Sequence, residues 1–415
     1  MKFCKTLVFI AALMLVFTFT ACEREILPDP DTCGPDCVGG DHSNCADFAI
    51  PTGTAPPSIP YTDPTPPPKE IPFPGYTPTD HEMRDIPSLE LIKEIKTGWN
   101  LGNTFDAPTE MAWDNPVTTY TMIQAVKDAG FDSVRLPVTW DTHTGDAPDY
   151  EIDEAWFDRV EEVVGYVLAL DMYCILNTHH EDWIIPNDEY EGENTERLLA
   201  LWKQLCERFA NYNEKLIFES MNEPRLIDTE HEWNGGTPEA REVINRLNDA
   251  FVETVRASGG NNAIRHLMIP SYAASSEFEA MQALSQNFPD DDKVIASIHA
   301  YVPHNFALEK QGSGVWNAQL HGDQINWMFG DIKRFFLDKD IPIIMGETGA
   351  MIKDGNIEDR LEWTKHYFGK ARELGIPTYW WDNGLFEGDC ELFGLLDRQQ
   401  VKFVFPEIID AIMDN

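Results

Sequence analysis

Two glutamates at the ends of apolar runs are the residues of this 415-residue chain best suited to acid/base chemistry. The segment FESMNEP at 218–224 reads as a buried strand that stops at Glu223, and IPIIMGE at 341–347 delivers Glu347 in the same way. If both strands belong to one parallel barrel, their side chains project from the face where strand ends collect reactive groups. Cleavage of a glycosidic bond needs such a pair, because one carboxyl protonates the leaving oxygen while the other attacks the sugar carbon or activates water. We therefore predict that Glu223 and Glu347 form a catalytic pair.

An arginine inside another apolar strand predicts a partner for this pair. Arg135 lies in SVRL at 133–136, where an unpaired guanidinium would be costly to bury. We expect it to pair with Glu347, to lower the pKa of that carboxyl and so to keep it ionised as the nucleophile. Glu223, in a less cationic setting, would stay protonated as the acid. A purely structural ion pair beneath the barrel is the alternative.

Polar and aromatic residues near other strand ends are candidates for contacts with a sugar or with the nucleophile. Asn222 is placed to hydrogen-bond a sugar hydroxyl. His299 and Tyr301 are two residues apart, so an extended chain would put both on one face, where Tyr301 would donate to the nucleophile. A structural pair is the alternative for these two. Trp381 offers a flat platform at the last strand end, with Trp380 buried behind it.

His179, His180 and Glu181 follow a strand and resemble metal ligands at first sight. Adjacent residues on an extended chain point in opposite directions, so both histidines rarely bind one ion. We therefore expect no metal and no cofactor, with one of the two histidines hydrogen-bonding at the catalytic floor and the other in a structural role. Further candidates for substrate binding are Asn103, Trp113, Trp140, His180, Trp183, Trp233 and Asn383, although each tryptophan alone is more often part of a core.

The elements that must position these residues alternate between short apolar runs and longer amphipathic stretches. Eight runs read as strands, at 98–101, 133–136, 173–177, 216–219, 267–269, 294–298, 343–345 and 378–381. Helical patterns lie between them at 122–129, 156–170, 196–212, 240–257, 325–337 and 360–374. Such alternation implies parallel βαβ units. Eight units without a glycine-rich phosphate fingerprint after the first strand favour a (β/α)8 TIM barrel over a doubly wound sheet.

Composition limits the partners. The chain carries 71 Asp and Glu against 31 Lys and Arg, a net charge of −40, which repels nucleic acid and anionic membrane surfaces. A neutral or cationic substrate is therefore expected, and the 12 tryptophans offer flat apolar surface of the kind that binds sugars. We expect a monomer that acts on a neutral polysaccharide.

The N-terminal part predicts export and a tether. Residues 1–22 have two early lysines, an apolar run and a close in Thr-Ala-Cys, which is typical of a secretory signal. The small residues before Cys22 favour a bacterial lipobox and a lipid anchor in the outer membrane, with ordinary cleavage as the alternative. Residues 23–83 are rich in proline and predict a semi-rigid tether, and 84–415 form the catalytic domain.

Cysteine spacing predicts no zinc site. Cys33, Cys37 and Cys45 cluster in the tether, where one disulfide is plausible for an exported protein but its pairing stays open. Three others, Cys174, Cys206 and Cys390, are scattered through the domain and are expected to be small buried hydrophobes.

Seven motifs in order resemble glycoside hydrolase family 5, the cellulase-type barrel enzymes, and especially its subfamily 4 endoglucanases and xyloglucanases. They are GWNLGNTFDA from Gly98, SVRLPVTW from Ser133, ILNTHHEDW from Ile175, IFESMNEP from Ile217, SIHAYVP from Ser297, IIMGETGA from Ile343 and YWWDNG from Tyr379. The resemblance implies Glu223 as acid/base and Glu347 as nucleophile. It implies as their supporting shell Arg135, His179, Asn222, His299, Tyr301 and Trp381.

The same resemblance implies a secreted, retaining endo-β-1,4-glucanase that acts on cellulose-type glucan, mixed-linkage glucan and xyloglucan. Xyloglucan-specific hydrolysis, or hydrolysis of xylan or mannan, is the alternative within this chemistry. A metal-dependent hydrolase and a catalytically inactive glycan-binding lipoprotein are alternatives from other classes.

Overall fold

Eight apolar runs form parallel strands that close into a barrel in chain order, so the predicted (β/α)8 fold is confirmed. The computed structural model describes residues 66–80 and 82–414. The barrel strands are β1 (Thr97–Leu101), β2 (Ser133–Leu136), β3 (Tyr173–Asn177), β4 (Leu216–Glu219), β5 (Leu267–Ser275), β6 (Val294–His299), β7 (Ile343–Thr348) and β8 (Thr378–Asp382). Two short strands, β9 (Leu396–Asp397) and β10 (Lys402–Phe403), form a separate antiparallel pair.

Most helices pack around the outside of the barrel, whereas the short first helix, at 88–91, contributes Leu91 to the apolar layer inside it. The helices are α1 (Ser88–Leu91), α2 (Tyr120–Asp128), α3 (Glu154–Ala169), α4 (Glu191–Arg208), α5 (Pro238–Ala257), α6 (Phe278–Gln286), α7 (His304–Ala307), α8 (Ala318–Phe335), α9 (Ile357–Glu373) and α10 (Pro406–Met413). Side-chain caps define several starts. Asp153 accepts the N–H of Trp156, and Thr237 accepts that of Ala240. Within the described residues no helix is both long and apolar enough to cross a bilayer.

The inside of the barrel changes from apolar to polar along the strands. An apolar layer at the N-terminal end consists of Leu91, Ile92, Ile95, Tyr173, Ile175, Ile217, Met268, Ile295, Ile344 and Tyr379. Side chains of a strand alternate between its two faces, so the next inward residues after Ile175, Ile217 and Ile295 stand two positions further on. They are Asn177, Glu219 and Ser297, all fully buried. The barrel thus places a polar layer directly beneath its C-terminal face.

An irregularity in β7 turns Glu347 into the barrel. The register shifts between Ile298 and His299 on one side of this strand, and between Met345 and Thr348 on the other. Such bulges re-aim a side chain next to an active site. Gly346 makes the close approach possible, because a Cβ there would lie 2.8 Å from Nε2 of His299.

The predicted elements agree with the structure except at particular points. All eight strands and all six predicted helices are present, whereas α1, α6, α7 and α10 were not predicted. Strand β4 ends at Glu219 rather than at Glu223. Its bonding to β5 stops at Ser220, whose carbonyl instead accepts the Thr178 hydroxyl and the Trp202 indole N–H. Glu223 therefore lies on the loop beyond the strand.

The end of the predicted tether packs on the barrel. Thr121 of α2 accepts the N–H of Ile71 at 2.7 Å and donates to Glu70 at 2.8 Å. The ring of Phe73 lies 4.7 Å from that of Tyr166. The packed unit therefore begins before the predicted boundary at 84. The predicted signal at 1–22, the anchor at Cys22 and the tether as far as residue 65 lie outside the described residues.

The cysteines of the domain divide into two kinds. Cys174 and Cys206 are free and buried, as predicted, and burial raises the pKa of the Cys206 thiol to about 11. Cys390 is only half-buried and forms a disulfide, so its prediction as a small buried hydrophobe is wrong. The cluster of Cys33, Cys37 and Cys45 lies outside the described residues.

Candidate active site

The two predicted glutamates meet at the C-terminal face of the barrel. Glu347 comes from β7 and Glu223 from the loop after β4. One oxygen of each carboxylate and a ring nitrogen of His299 all lie within 4.8 Å of one another. His299 stands between them, with Nδ1 2.7 Å from Glu223 Oε1 and 3.7 Å from Glu347 Oε1. The structure thus brings together two carboxyls that are far apart in the chain.

Arg135 connects this pair to the polar layer of the barrel. Its Nη1 donates to Glu347 Oε1 at 2.6 Å, which is the ion pair predicted from the sequence. Its Nε donates to Glu219 Oε2 at 2.7 Å, and its Nη2 to the amide oxygen of Asn222 at 2.7 Å. Nη1 also donates to Asn100 at 3.1 Å. Burial opposes the charge, but the two carboxylates outweigh it and raise the pKa of Arg135 above its ordinary value.

Glu347 is buried, and each of its two carboxylate oxygens accepts a hydrogen bond. Besides Arg135, the hydroxyl of Tyr301 donates to Glu347 Oε2 at 3.0 Å, as predicted. Burial is the largest influence and raises the pKa of Glu347, against the lowering effects of His299 and Arg135. The pKa of Tyr301 is raised well above its ordinary value by burial and by the charge of Glu347.

Glu223 has its pKa lowered in the free protein. Burial alone would raise it, but the hydrogen bond and charge of His299, followed by the charges of Arg225 and Arg135, outweigh burial. The sequence predicted the reverse order, with Glu347 lowered and Glu223 raised. That prediction is wrong because His299 lies closer to Glu223 than to Glu347, a preference that spacing did not reveal.

Three other predicted residues line the same cleft. Asn222 gives its amide oxygen to Arg135, and within the described residues its Nδ2 has no hydrogen-bond partner. The His179 ring stacks on Trp381 with centroids 5.8 Å apart and planes 6° from parallel. Burial lowers the pKa of His179 well below its ordinary value, so the imidazole is neutral. Trp380 is fully buried behind Trp381, as predicted.

Two predicted substrate contacts are wrong. Trp140 is fully buried, donates its indole N–H to the Asn177 carbonyl and packs on Phe157. Asn383 is 2% exposed, and its amide is hydrogen-bonded within the loop after β8. The amide nitrogen donates to the Glu391 carbonyl, and the amide oxygen accepts the N–H groups of Leu385 and Phe393. Both side chains are therefore buried behind the cleft and are not positioned to contact a substrate.

The remaining candidates lie on loops at the rim. Trp183 is half-buried, with its indole N–H on the Glu181 carboxylate and the Arg197 guanidinium 4.4 Å from its ring. Trp113 and Asn103 both lie on the loop after β1. Trp113 is 48% exposed, and Asn103 is half-buried. The structure gives no contact that joins Trp113 or Asn103 to the glutamate pair.

His179 and His180 do not point in opposite directions, so that prediction is wrong. Both lie past the end of β3, and their ring centroids are 4.5 Å apart. Together with Asp106, the two histidines offer three atoms that could ligate a metal ion, all within 4.8 Å of one another. The Asp106 carboxylate already accepts the backbone N–H groups of Asn103 and Thr104, and His180 Nε2 lies 3.9 Å from it. These contacts describe a hydrogen-bonded corner of the cleft.

Sequence reasoning missed several residues of the site. Glu219 binds Arg135 and is itself held by the Asn177 amide at 3.1 Å and the Ser297 hydroxyl at 2.7 Å. The signal was available, since Glu219 follows the inward Ile217 by two positions. Glu391 lies on the loop after β8 with an exposed surface, and the surrounding protein together with the charges of Glu223 and Glu347 raises its pKa to about 7.

The chain is similar to known cellulases over most of its length. Residues 94–387 match the family model of Cellulase (glycosyl hydrolase family 5). Cellulase/esterase CelE of Acetivibrio thermocellus is 47% identical over 334 residues, a match that covers 80% of this chain and 41% of CelE. This chain therefore spans less than half the length of that relative. Endoglucanase A of Ruminococcus albus is 46% identical over 345 residues, covering 80% of this chain and 94% of that protein.

A solved structure shows the same similarity in three dimensions. It is the GH5-4 broad specificity endoglucanase from Ruminococcus champanellensis with bound cellotriose. It superposes with a TM-score of 0.77 at 46% sequence identity, covering 80% of this chain and all of that one.

Replacement of Glu219 by glutamine should destabilise the fold. Glutamine keeps the shape but leaves the buried Arg135 with one carboxylate, and breaking a buried pair costs roughly 3–5 kcal/mol. Urea unfolding measures this loss. Ser297→Ala is the matched control, because it removes a hydrogen bond to Glu219 without a charge and should cost only about 1 kcal/mol. Equal losses in the two variants would contradict a charge role for Glu219.

Replacement of His299 by asparagine should raise the pKa of Glu223, because the partner that lowers it is removed. Carbon-13 NMR titration of the glutamate carboxyls measures the change. Tyr301→Phe is the control: it removes a donor to Glu347, so it should raise the pKa of Glu347 and change that of Glu223 less than His299→Asn does. An unchanged Glu223 titration in His299→Asn would refute this account.

Proposed function

This chain belongs to glycosyl hydrolase family 5, the cellulase family, and we propose that it hydrolyses internal β-1,4 linkages of neutral glucans with retention of configuration. The supporting observation is the placement of Glu223 and Glu347, whose oxygens lie within 4.8 Å of each other across His299. Retaining glycosidases hold their carboxyls roughly 5–5.5 Å apart, whereas inverting enzymes leave a wider gap for water. One oxygen of each carboxyl within 4.8 Å of the other supports the narrower, retaining spacing.

In the first step Glu347 attacks the anomeric carbon and Glu223 protonates the leaving oxygen. Arg135 and Tyr301 orient the two oxygens of Glu347, so the nucleophile needs no rearrangement. The proton for the leaving oxygen comes from the hydrogen-bonded pair of Glu223 and His299, in which Oε1 lies 2.7 Å from Nδ1. A bound sugar excludes water from this pair, and exclusion of water favours the neutral carboxylic acid.

In the second step Glu223 takes a proton from water, which then attacks the glycosyl enzyme and releases Glu347. Asn222 faces the cleft with a free amide donor, and Trp381 offers a ring fixed by its stack on His179. These groups suit the hydroxyls and the flat face of a glucosyl residue. No step of this route needs a metal ion.

Azide trapping with an activated aryl β-cellobioside tests the two roles. Glu347→Ala should lose at least about a thousandfold in kcat, because the nucleophile is absent. Azide should then attack directly and give the α-glycosyl azide. Glu223→Ala should instead form the glycosyl enzyme, and azide should release it as the β-glycosyl azide. NMR of the products distinguishes the anomers; the same anomer from both variants would contradict the assignment.

The substrate range is tested by reducing-end release from carboxymethylcellulose, mixed-linkage glucan, xyloglucan, xylan and mannan. We expect cleavage of the glucans, unaffected by a chelator, with linear glucan and xyloglucan both accepted. Cleavage of xyloglucan alone would indicate a xyloglucan-specific enzyme. Polysaccharide binding without release from any substrate would instead favour a glycan-binding lipoprotein.

We further propose that the enzyme acts outside the cell from a lipid anchor at Cys22. Support comes from the sequence pattern of residues 1–22 and from the tether-like composition of 23–83. Cys22→Ala should abolish labelling by palmitate and move activity from the membrane fraction to the soluble fraction. Unchanged labelling would exclude this anchor.

A further inference from the structure

The loop that follows Glu223 carries an arginine that the mechanism above does not use. Arg225 lies two residues beyond Glu223, and its side chain is mostly buried. Its Nη1 donates to the Glu223 carbonyl at 3.1 Å, and its Nε donates to Glu232 at 3.1 Å. The guanidinium lies 4.3 Å from the ring of Trp233, which is 46% exposed. Three separate contacts thus fix one cation beside Glu223.

The loop is fastened to the barrel as well. Tyr272 of β5 accepts the N–H of Leu226 at 2.9 Å and donates to the His231 carbonyl at 3.0 Å. Gly236 closes the loop with φ +68, where a Cβ would lie 2.6 Å from the Tyr272 ring. The position of Arg225 is therefore set by the scaffold.

Arg225 lines a depression on the Glu223 side of the cleft. Its lining residues include His180, Glu181, Asn222, Glu223 and Arg225. Glu347 is not among them. Because the acid protonates the oxygen of the departing sugar, that sugar must lie on the Glu223 side of the pair. The depression is thus where the leaving group belongs.

One donor of Arg225 is still available. Within the described part of the chain, Nε and Nη1 are bonded to protein oxygens, whereas Nη2 has no such partner. An arginine fixed on an aromatic ring loses little further freedom when it binds a ligand.

From this geometry we propose that Arg225 is a substrate-binding residue of the leaving-group subsite, where Nη2 donates a hydrogen bond to a hydroxyl of the departing glucosyl residue. Trp233 is the positioning residue that holds the guanidinium in place. This inference rests on the proposed function and deepens it.

Two substrates that differ only in the leaving group test the proposal. Cellotetraose places sugar in the subsite and needs acid catalysis, whereas 2,4-dinitrophenyl β-cellobioside does neither. Arg225→Met should lose at least about tenfold in kcat/KM on cellotetraose. It should stay within about twofold of wild type on the aryl substrate, because kcat/KM there reports attack by Glu347 alone. Trp233→Ala should show a smaller loss, again confined to cellotetraose.

The pH profile separates charge from hydrogen bonding. The charge of Arg225 lowers the pKa of Glu223, so Arg225→Met should move the alkaline limb on cellotetraose to higher pH. Arg225→Lys keeps the charge and should leave that limb in place while still raising KM. Arg241→Met is the matched control, because Arg241 braces the same loop through the Gly235 and Gly236 carbonyls without lining the depression. It should leave the ratio of the two substrates unchanged.

Three other outcomes of these experiments would contradict the proposal. Equal losses on both substrates in Arg225→Met would make Arg225 a structural support of the glutamate pair. No loss on cellotetraose would show that Nη2 binds nothing there. Failure of the wild-type protein to cleave either substrate would overturn the proposed function itself, and the two failures are therefore distinguishable.

Discussion

A guanidinium buried at the centre of the barrel is the interaction on which the site depends. Arg135 is fully buried, and a cation in that setting is tolerable only with carboxylates and further hydrogen bonds around it. Glu219 is the permanent counter-ion, since it is equally buried and is held by Asn177 and Ser297. Glu347 is the second counter-ion and the only one of the two that faces the cleft. In the proposed mechanism Glu347 becomes a neutral ester, and Arg135 then still has Glu219 as its counter-ion.

The barrel architecture supplies this arrangement through the two-residue period of its strands. Apolar residues fill the N-terminal layer, and the next inward positions supply the acceptors for the guanidinium. Glu347 departs from this alternation: Gly346 already occupies an inward position, so the next residue would be expected to face outward, yet Glu347 also faces inward. The register shifts around β7 absorb the extra residue and point the nucleophile at Arg135. The irregular part of the strand thus coincides with Glu347.

Much of this was predictable from the sequence and some was not. Eight apolar runs gave the barrel, and a charged residue in an apolar strand predicted the pair of Arg135 with Glu347. Period and length do not report bulges, so the register shifts around β7 were not predicted. They also do not report how rings orient, which is why Trp140 was mistaken for a platform. The pKa order of the glutamates depended on the one ångström by which His299 lies closer to Glu223 than to Glu347.

In the proposed double displacement, the closeness of these charges explains how Glu223 can serve first as acid and then as base. While Glu347 is ionised, its charge opposes ionisation of Glu223, which therefore holds the proton more firmly when sugar has displaced water. Ester formation removes that charge at the moment Glu223 gives its proton away. The pKa of Glu223 then falls, because the charge of Glu347 no longer adds to burial against the lowering effects of His299, Arg225 and Arg135. The total charge of the site is unchanged through the step, so the buried cation needs no new partner, and Glu223 is left ionised and ready to activate water.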